Sequence, residues 1–305
     1  MKIAMMGAGG VGGYFGARLA RAGCDVAFIA RGTHGAAIRA NGLTITSQLG
    51  DIHLAPTKVT DDPAGIGNVD VVLFGVKLWD TEPAAEAIRS LIGPDTMVIS
   101  LQNGVVKDDI LKAKLGTQAV AGGACYISAT IASPGVIAHT GTMQKLVFGE
   151  YGAAGSARLD RLLQACQRAG IDAEISTDIH RTLWEKFVLL VGLSATTAAT
   201  RLPIGRVRAD PDSRLLLQQV MEEVVAVGRA EGVQLAPDYA ADRLRFCDQL
   251  PAGMMASMAN DLERGQKLEV RWLSGDVVRR GAEVRVPTPA NEFACAVLSL
   301  HAQGR

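Results

Sequence analysis

The chain lacks a charge excess, a membrane-length apolar run and any block of like charges. Lysine plus arginine equals aspartate plus glutamate, at 31 each, so the composition predicts no basic surface for nucleic acid or for an acidic membrane. The apolar stretch around residues 187–191 is far shorter than the roughly 20 residues that cross a bilayer. We therefore expect a cytoplasmic protein with neither a nucleic-acid nor a membrane partner.

Closely spaced cysteines are also missing. The chain has five cysteines, with no CxxC pair and no histidine cluster near any of them. This spacing argues against structural zinc and against a disulfide framework, so we predict no metal site. Scattered cysteines of this kind are typical of small buried side chains in a reducing compartment.

The first half of the chain alternates apolar segments with amphipathic ones. Residues 2–6 predict a buried strand rather than a signal peptide, because a glycine-rich turn follows at once. Residues 69–76 (VDVVLFGV) are almost wholly apolar, as in a central parallel strand covered on both faces. Further strands are predicted at 25–30, 96–101, 119–126 and 145–149, and helices at 11–22, 82–91 and 159–169. Residues 43–46 and 52–54 predict a small hairpin or a crossover insertion. The alternation favours a doubly wound parallel sheet.

Helical periodicity dominates after about Thr177. Helices are predicted at 179–200, 214–231 and 239–248, over a stretch from about 268 to 281, and after a cap at Thr288 with Pro289 in the first position. The predicted fold class is α/β, with an N-terminal Rossmann-type doubly wound sheet and a C-terminal all-helical domain. We place the domains at residues 1–176 and 177–305.

A glycine-rich turn joins the first strand to the first helix. The motif GxGxxG is formed by Gly7, Gly9 and Gly12, with Gly10 and Val11 between the last two. Its strand–turn–helix setting indicates a dinucleotide-binding loop, in which the backbone approaches a pyrophosphate at the helix N-terminus. The alternative is a plain glycine-rich turn. No GK[ST] follows, which excludes a P-loop.

The end of the second strand bears on the choice of cofactor. An NAD enzyme usually has an acid there for the ribose 2′-hydroxyl, whereas this chain has Arg31. A guanidinium suits a 2′-phosphate, so we predict NADP(H) as the cofactor. The alternative is a solvated loop arginine. His34 lies nearby and is assigned no role.

Two further residues follow predicted parallel strands. Lys77 comes after residues 69–76, and Asn103 comes after residues 96–101. Ligands of open α/β sheets bind at the carboxyl ends of strands, which makes both residues candidates for contact with cofactor or substrate. The alternatives are a surface lysine and an ordinary Asn-Gly turn at Asn103-Gly104.

Lys186 is the catalytic candidate in the helical half. It lies in the apolar run Leu183 to Val191, where partial desolvation would lower its pKa and favour proton donation near neutral pH. Reduction of a ketone requires a hydride on carbon and a proton on oxygen, and an ammonium group can supply the proton. The alternative is a lysine whose charged end reaches solvent at a helix edge.

The motifs together resemble the ketopantoate reductase (2-dehydropantoate 2-reductase) family over nearly the whole chain. The resemblance is carried by GAGGVGG, Val76-Lys77, Gln102-Asn103-Gly104, Trp184-Glu185-Lys186, and Ser257 twelve residues before Glu269. It implies NADPH-dependent reduction of ketopantoate to pantoate, a step of pantothenate biosynthesis.

The resemblance also implies roles for single residues. Lys186 matches the general acid, Glu269 matches an acid that holds substrate and lysine, and Ser257 matches a substrate-binding serine. Arg31 matches the position associated with the 2′-phosphate. Lys77 and Asn103 match positions that touch cofactor and substrate.

Three positions depart from the family pattern. Leu190, Ser194 and Met254 stand where the family typically has asparagines. The amide-rich pocket is therefore largely lost, although Ser194 is retained as a substrate-binding candidate. The open alternatives are another 2-oxo acid or ketone as substrate, and a non-catalytic NADP-binding sensor. A homodimer through the helical domain is kept as an expectation.

Overall fold

A computed structural model describes residues 1–55, 57–152 and 155–305. The described backbone divides into two compact units. The first comprises residues 1–103 and 107–179, and the second comprises residues 104–106 and 180–305. The functional division expected at residues 176 and 177 stays a prediction.

The first unit is built on a mixed sheet with ten strands among the described residues. The strands are β1 (Lys2–Met6), β2 (Asp25–Ile29), β3 (Leu43–Ser47), β4 (Ile52–Leu54), β5 (Val59–Thr60), β6 (Val71–Phe74), β7 (Met97–Ser100), β8 (Val120–Ser133), β9 (Val136–Gly149) and β10 (Asp172–Ile175). Their order is β4-β3-β9-β8-β7-β6-β1-β2-β5, with β10 beside β9. From β8 to β5 all pairs are parallel, as expected for the Rossmann-type part.

Strand β1 shows why the central strands are continuous apolar runs. Ile3 and Met5 belong to one buried cluster, whereas Ala4 and Met6 belong to a second cluster. Successive side chains of a strand point to opposite faces, so both faces of this sheet are covered. The predicted fold class is confirmed by this sheet and by the helical second unit.

The strands predicted at 119–126 and 145–149 are longer in the structure, and β9 is antiparallel to β8, whereas β8 pairs with β7 in parallel as predicted. They continue into a long antiparallel hairpin, in which β8 and β9 pair from Gly122 and Gly149 to Ser133 and Val136. The outer part of β8 is largely exposed. A solvent-facing hairpin needs no continuous apolar run, which explains why the apolar pattern ended near residue 126.

Most of the predicted helices begin and end near their predicted limits, and α6 matches its prediction at both ends. The helices are α1 (Gly10–Arg21), α2 (Gly32–Asn41), α3 (Thr81–Ala87), α4 (Val106–Leu115), α5 (Ala157–Arg168), α6 (Ile179–Thr200), α7 (Ile204–Ala209), α8 (Pro211–Ala230), α9 (Tyr239–Cys247), α10 (Ser257–Glu263), α11 (Ser274–Val284) and α12 (Pro289–Ser299). Helices α2, α4, α7 and α10 and strands β5 and β10 were not predicted. The helix expected from about residue 268 to residue 281 begins later than predicted, at Ser274, because a 3₁₀ turn at Val270–Trp272 precedes α11.

Two glycines let α6 and α8 pack closely in the second unit. A β-carbon built at Gly192 would lie 2.6 Å from the Cγ of Met221, and one built at Gly228 would lie 2.6 Å from the ring of Trp184. Trp184 also packs edge-on against Phe187, with ring centroids 5.7 Å apart. These contacts fix the segment of α6 that carries Lys186.

The remaining expectations concern a helix cap, the cysteines and membrane spans. Thr288 and Pro289 occupy the predicted positions at the start of α12, but the Thr288 side chain makes no capping hydrogen bond. All the cysteines are free thiols, three buried and two half-buried. None of the described helices combines the length and hydropathy that crossing a bilayer requires.

Candidate functional site

The glycine-rich turn between β1 and α1 has the geometry of a phosphate-binding loop. Gly7 has φ +94°, and a β-carbon there would lie 2.9 Å from the backbone nitrogen of Val76. A β-carbon at Gly12 would lie 2.1 Å from the carbonyl oxygen of Gly7. Both positions therefore require glycine, one for the turn and one for close packing of α1 against the loop.

The middle of the loop is open. A β-carbon at Gly9 would have no neighbour within 4 Å, and Gly9 occupies the N-cap of α1 without a side-chain cap. The first backbone N–H groups of α1, from Gly10 and the half-buried Val11, are thus available to an anion at the positive end of the helix. This open cradle fits a dinucleotide pyrophosphate.

Gly10 reveals a contact that the sequence did not indicate. A β-carbon there would lie 2.2 Å from the carbonyl oxygen of Ala129, so β8 runs against the loop. The outer hairpin therefore supports the start of α1 from one side.

The four cofactor candidates of the first unit follow four adjacent parallel strands. The sheet order β7-β6-β1-β2 places Asn103, Lys77, the glycine-rich loop and Arg31 in a row at the carboxyl ends of these strands. This is the edge at which open α/β sheets bind ligands. The structure therefore brings together the positions predicted from separate motifs.

The side chains in this row differ in exposure. Arg31 is exposed and occupies the N-cap of α2. Lys77 is exposed, with its ammonium 5.6 Å from the ring centroid of Trp79. Asn103 is half-buried. Two cations at the rim suit the phosphates of a nucleotide.

A buried hydrogen-bond chain, which sequence reasoning missed, joins the loops after β6 and β7. The Ser100 hydroxyl donates to Oε1 of Gln102 at 2.9 Å, and the Gln102 amide donates to Oγ1 of Thr81 at 2.8 Å. The Thr81 hydroxyl then donates to the carbonyl oxygen of Leu78 at 2.7 Å. This series of hydrogen bonds fixes the segments that carry Lys77 and Asn103. Gln102 was part of a quoted motif, but nothing in the sequence identified its partners.

In the second unit, Gly104 marks where α6 meets the 3₁₀ turn after Glu269. A β-carbon at Gly104 would lie 3.1 Å from the carbonyl oxygen of Trp272 and 4.0 Å from the ring of Phe187. The neighbours of Lys186 and of Glu269 therefore approach one another. Lys186 is half-buried, and the sequence alone would place Glu269 on a helix surface, yet it is only 8% exposed.

Ser257 lies at the exposed start of α10. The backbone N–H of the preceding residue, Ala256, donates to Oγ1 of Thr197 on α6 at 3.3 Å. This bond fixes the start of α10 against the carboxyl-terminal part of α6. The carbonyl oxygen of Met254 accepts a hydrogen bond from Ile204 at 2.9 Å, while the side chain of Met254 is 39% exposed.

The other two positions at which this chain differs from the family pattern, Leu190 and Ser194, lie on α6. Leu190 is half-buried, and Ser194 is 1% exposed. In the part of the chain that the structure describes, the Ser194 hydroxyl has no hydrogen-bond partner. No group of three or more His, Cys, Asp or Glu side chains that could hold a metal ion occurs among the described residues.

A dinucleotide-type loop, with a helical unit that carries a lysine and a buried carboxylate, is the arrangement expected of a nicotinamide-dependent oxidoreductase. Two family models match the chain: "Ketopantoate reductase PanE/ApbA" over residues 3–153 and "Ketopantoate reductase PanE/ApbA C terminal" over residues 178–302. The chain belongs to the ketopantoate reductase family, whose enzymes act on a ketone and the corresponding alcohol.

Individual relatives agree with this assignment. A 2-dehydropantoate 2-reductase of Mesorhizobium japonicum is 31% identical, with 98% of this chain and 97% of that protein covered. A PanE/ApbA family ketopantoate reductase of Ralstonia eutropha has a TM-score of 0.90 at 37% identity, with 99% of this chain and 98% of that chain covered. A D-mandelate dehydrogenase solved with NADH and anilino(oxo)acetate also has a TM-score of 0.90, but at 21% identity, and covers 99% of this chain and 98% of that chain. At 21% identity, the similarity to D-mandelate dehydrogenase shows a shared fold and no more.

Proposed function

We propose that the chain reduces the 2-oxo group of ketopantoate to the alcohol of pantoate with NADPH. The observation that carries this proposal is the row of Asn103, Lys77, the glycine-rich loop and Arg31 along four adjacent strand ends, in a chain of this family. Lys186 and Glu269, at positions that resemble the family's catalytic residues, support proton transfer at the carbonyl oxygen.

The first unit supplies the residues that hold the cofactor. The open face at Gly9 and the N–H groups of α1 receive the pyrophosphate. The exposed guanidinium of Arg31 binds the 2′-phosphate, which is the feature that favours NADPH over NADH. When bound, NADPH supplies the hydride that the carbonyl carbon accepts.

The second unit supplies the proton and holds the substrate. Lys186 donates a proton to the carbonyl oxygen, so hydride and proton together convert the ketone to an alcohol. The carboxylate of Glu269, which is largely buried, orients the lysine and the substrate. Ser257 hydrogen-bonds the substrate's polar groups, as does Asn103 of the first unit.

A second candidate substrate is a 2-oxo acid without ketopantoate's hydroxyl group. It is favoured by the apolar Leu190 and Met254 and by the covered Ser194 hydroxyl. A site that hydrogen-bonds a hydroxyl loses discrimination when its partners become apolar. The same hydride and proton transfers apply to this substrate.

The test follows NADPH oxidation by absorbance with ketopantoate and 2-oxoisovalerate, and with NADH as a control. We expect Lys186→Ala to lower kcat by on the order of 100-fold or more and to leave NADPH binding intact. Lys114→Ala is the matched control, because Lys114 is a half-buried residue of α4 whose ammonium pairs with Glu82 of α3. Turnover that survives Lys186→Ala within a few-fold would remove the proposed general acid. Tight NADPH binding without turnover of any 2-oxo acid would favour a non-catalytic sensor.

A further inference from the structure

His34, in the first turn of α2, joins the glycine-rich loop to the β8–β9 hairpin. Its Nε2 lies 2.9 Å from the carbonyl oxygen of Ala8. The backbone N–H of Gly135, in the hairpin turn, donates to its Nδ1 at 3.1 Å. One half-buried imidazole therefore contacts the phosphate-binding loop on one side and the hairpin on the other.

The two bonds define the state of the ring. Because Nδ1 accepts a hydrogen bond, the neutral ring carries its proton on Nε2. Nε2 is then the donor to Ala8. The carbonyl oxygen of Ala8 carries a partial negative charge, and the hydrogen bond from Nε2 holds this oxygen toward His34.

The bond to Ala8 also sets the direction of the next N–H group. The Ala8–Gly9 peptide is trans, since the described residues contain no cis peptide, and in a trans peptide C=O and N–H point in opposite directions. Holding the Ala8 oxygen therefore turns the Gly9 N–H away from His34. A β-carbon at Gly9 would meet nothing within 4 Å, so the space beside Gly9 is open to an anion.

We propose that His34 is a positioning residue for the dinucleotide pyrophosphate, acting through the Ala8–Gly9 peptide. The inference rests on the proposed function in that it assumes a bound dinucleotide. It assigns to α2 two separate tasks, since Arg31 at its N-cap serves only the 2′-phosphate. His34 serves the pyrophosphate, which NADH and NADPH share, so its loss weakens both.

The experiment measures Kd for NADPH and for NADH by nicotinamide fluorescence, with purified full-length protein. We expect His34→Ala to raise both Kd values about equally, by on the order of 10-fold, which corresponds to one lost hydrogen bond to a loop that binds charge. At saturating NADPH, kcat should stay within a few-fold of the wild type. The control is His53→Ala, because the exposed His53 bonds Thr44 and makes no contact with the loop.

Two conservative variants separate the two bonds. A glutamine amide can reach the position of Nε2, whereas an asparagine amide reaches only that of Nδ1. We expect His34→Gln to restore dinucleotide binding and His34→Asn to bind as weakly as His34→Ala. Thermal unfolding of each apo variant shows whether a loss of binding follows from a loss of folded protein.

The outcomes distinguish this inference from the proposed function. If the wild type binds neither dinucleotide, the proposed function fails and this inference fails with it. If the wild type binds NADPH and His34→Ala binds both dinucleotides within two-fold of it, only the inference fails. It also fails if His34→Asn restores binding and His34→Gln does not, since the hairpin bond would then be the one that matters.

Discussion

Glu223 on α8 accepts two hydrogen bonds from Asn291 on α12, one from the backbone N–H at 2.9 Å and one from the side-chain amide at 2.8 Å. Its other oxygen accepts the N–H of Ala290 at 2.7 Å. The cap of α12 is therefore supplied by a carboxylate from another helix, and its negative charge faces the positive end of α12. Thr288 occupies the N-cap position, but its side chain does not make the capping hydrogen bond.

Glu223→Ala should destabilise the protein by about 2 kcal/mol, because charged hydrogen bonds to a buried helix start are lost. The urea midpoint followed by circular dichroism measures the change. Glu222→Ala is the control, since the exposed Glu222 bonds only Gln218 in the described structure. Equal midpoints for the two variants would contradict the assigned cap.

Breaking a buried ion pair in the first unit should lower the stability of the protein more than Glu223→Ala does. The ammonium of Lys107 is fully buried and donates to Asp108 at 3.2 Å and to the carbonyl oxygens of Ser100 and Gly123 at 3.2 and 3.1 Å. We expect Lys107→Met to cost about 3–5 kcal/mol, because Asp108 would keep its charge without the buried cation. The double variant Lys107→Met with Asp108→Asn should recover part of the loss. A double variant no more stable than the single one would show that the charge of Asp108 is not the cause.

Arg31 should decide between the two dinucleotides. We expect Arg31→Ala to raise Kd for NADPH by on the order of 10- to 100-fold, as for loss of a hydrogen-bonded charge pair, and to leave Kd for NADH unchanged. Arg39→Ala, an exposed arginine at the other end of α2, is the matched control. A parallel loss of NADH binding would mean that Arg31 acts on the loop rather than on the 2′-phosphate.

Leu190 should influence the choice of substrate. It stands one helical turn after Lys186, where the family typically has an asparagine. We expect Leu190→Asn to raise the ratio of kcat/KM for ketopantoate over 2-oxoisovalerate by on the order of 10-fold, because an amide can hydrogen-bond the hydroxyl group. Leu189→Asn, at the half-buried position next to Leu190 and about 100° from it around α6, is the control. A ratio that changes equally in both variants would indicate a general disturbance of the helix.

Stability should depend on pH through Glu150. Burial raises the pKa of this carboxyl, but hydrogen bonds from Ser156 and Arg158 outweigh burial and leave the pKa lowered from 4.5. A carboxyl whose pKa is lower in the folded state contributes stability above its unfolded pKa and loses that contribution as pH falls through the folded value. Thermal midpoints from pH 7 down to pH 3 should therefore fall more steeply for the wild type than for Glu150→Gln. Parallel curves would contradict this role.

The sequence predicted the parts of this molecule that depend on local pattern. The limits of α6 followed from a long helical periodicity, and the roles of Gly7, Gly9 and Gly12 followed from the strand, turn and helix around them. Arg31 and Lys77 could be placed at the sheet edge because parallel strands share one carboxyl edge.

Features that depend on distant contacts could not be predicted. The β8–β9 hairpin pairs residues across a solvent-facing ladder, and its contact with Gly10 has no local signal. Glu269 has the sequence pattern of a surface carboxylate, but in the structure it is buried beside Leu268 and Val270. The sequence indicated no role for His34, because its hydrogen-bond partners Ala8 and Gly135 lie 26 and 101 residues away along the chain.

The state of the cysteines has a practical consequence for spectroscopy. Burial raises the pKa of Cys166 to about 12 and is the main cause that raises the pKa of Cys247 and Cys295 to about 11. Burial likewise raises the pKa of Cys24, and the buried Cys125 donates its S–H to Leu101. Thiolates are the species that maleimide and iodoacetamide modify, so the native thiols should label slowly at neutral pH. A single cysteine introduced on the exposed face of α2 could then carry a fluorophore in an otherwise unmodified protein.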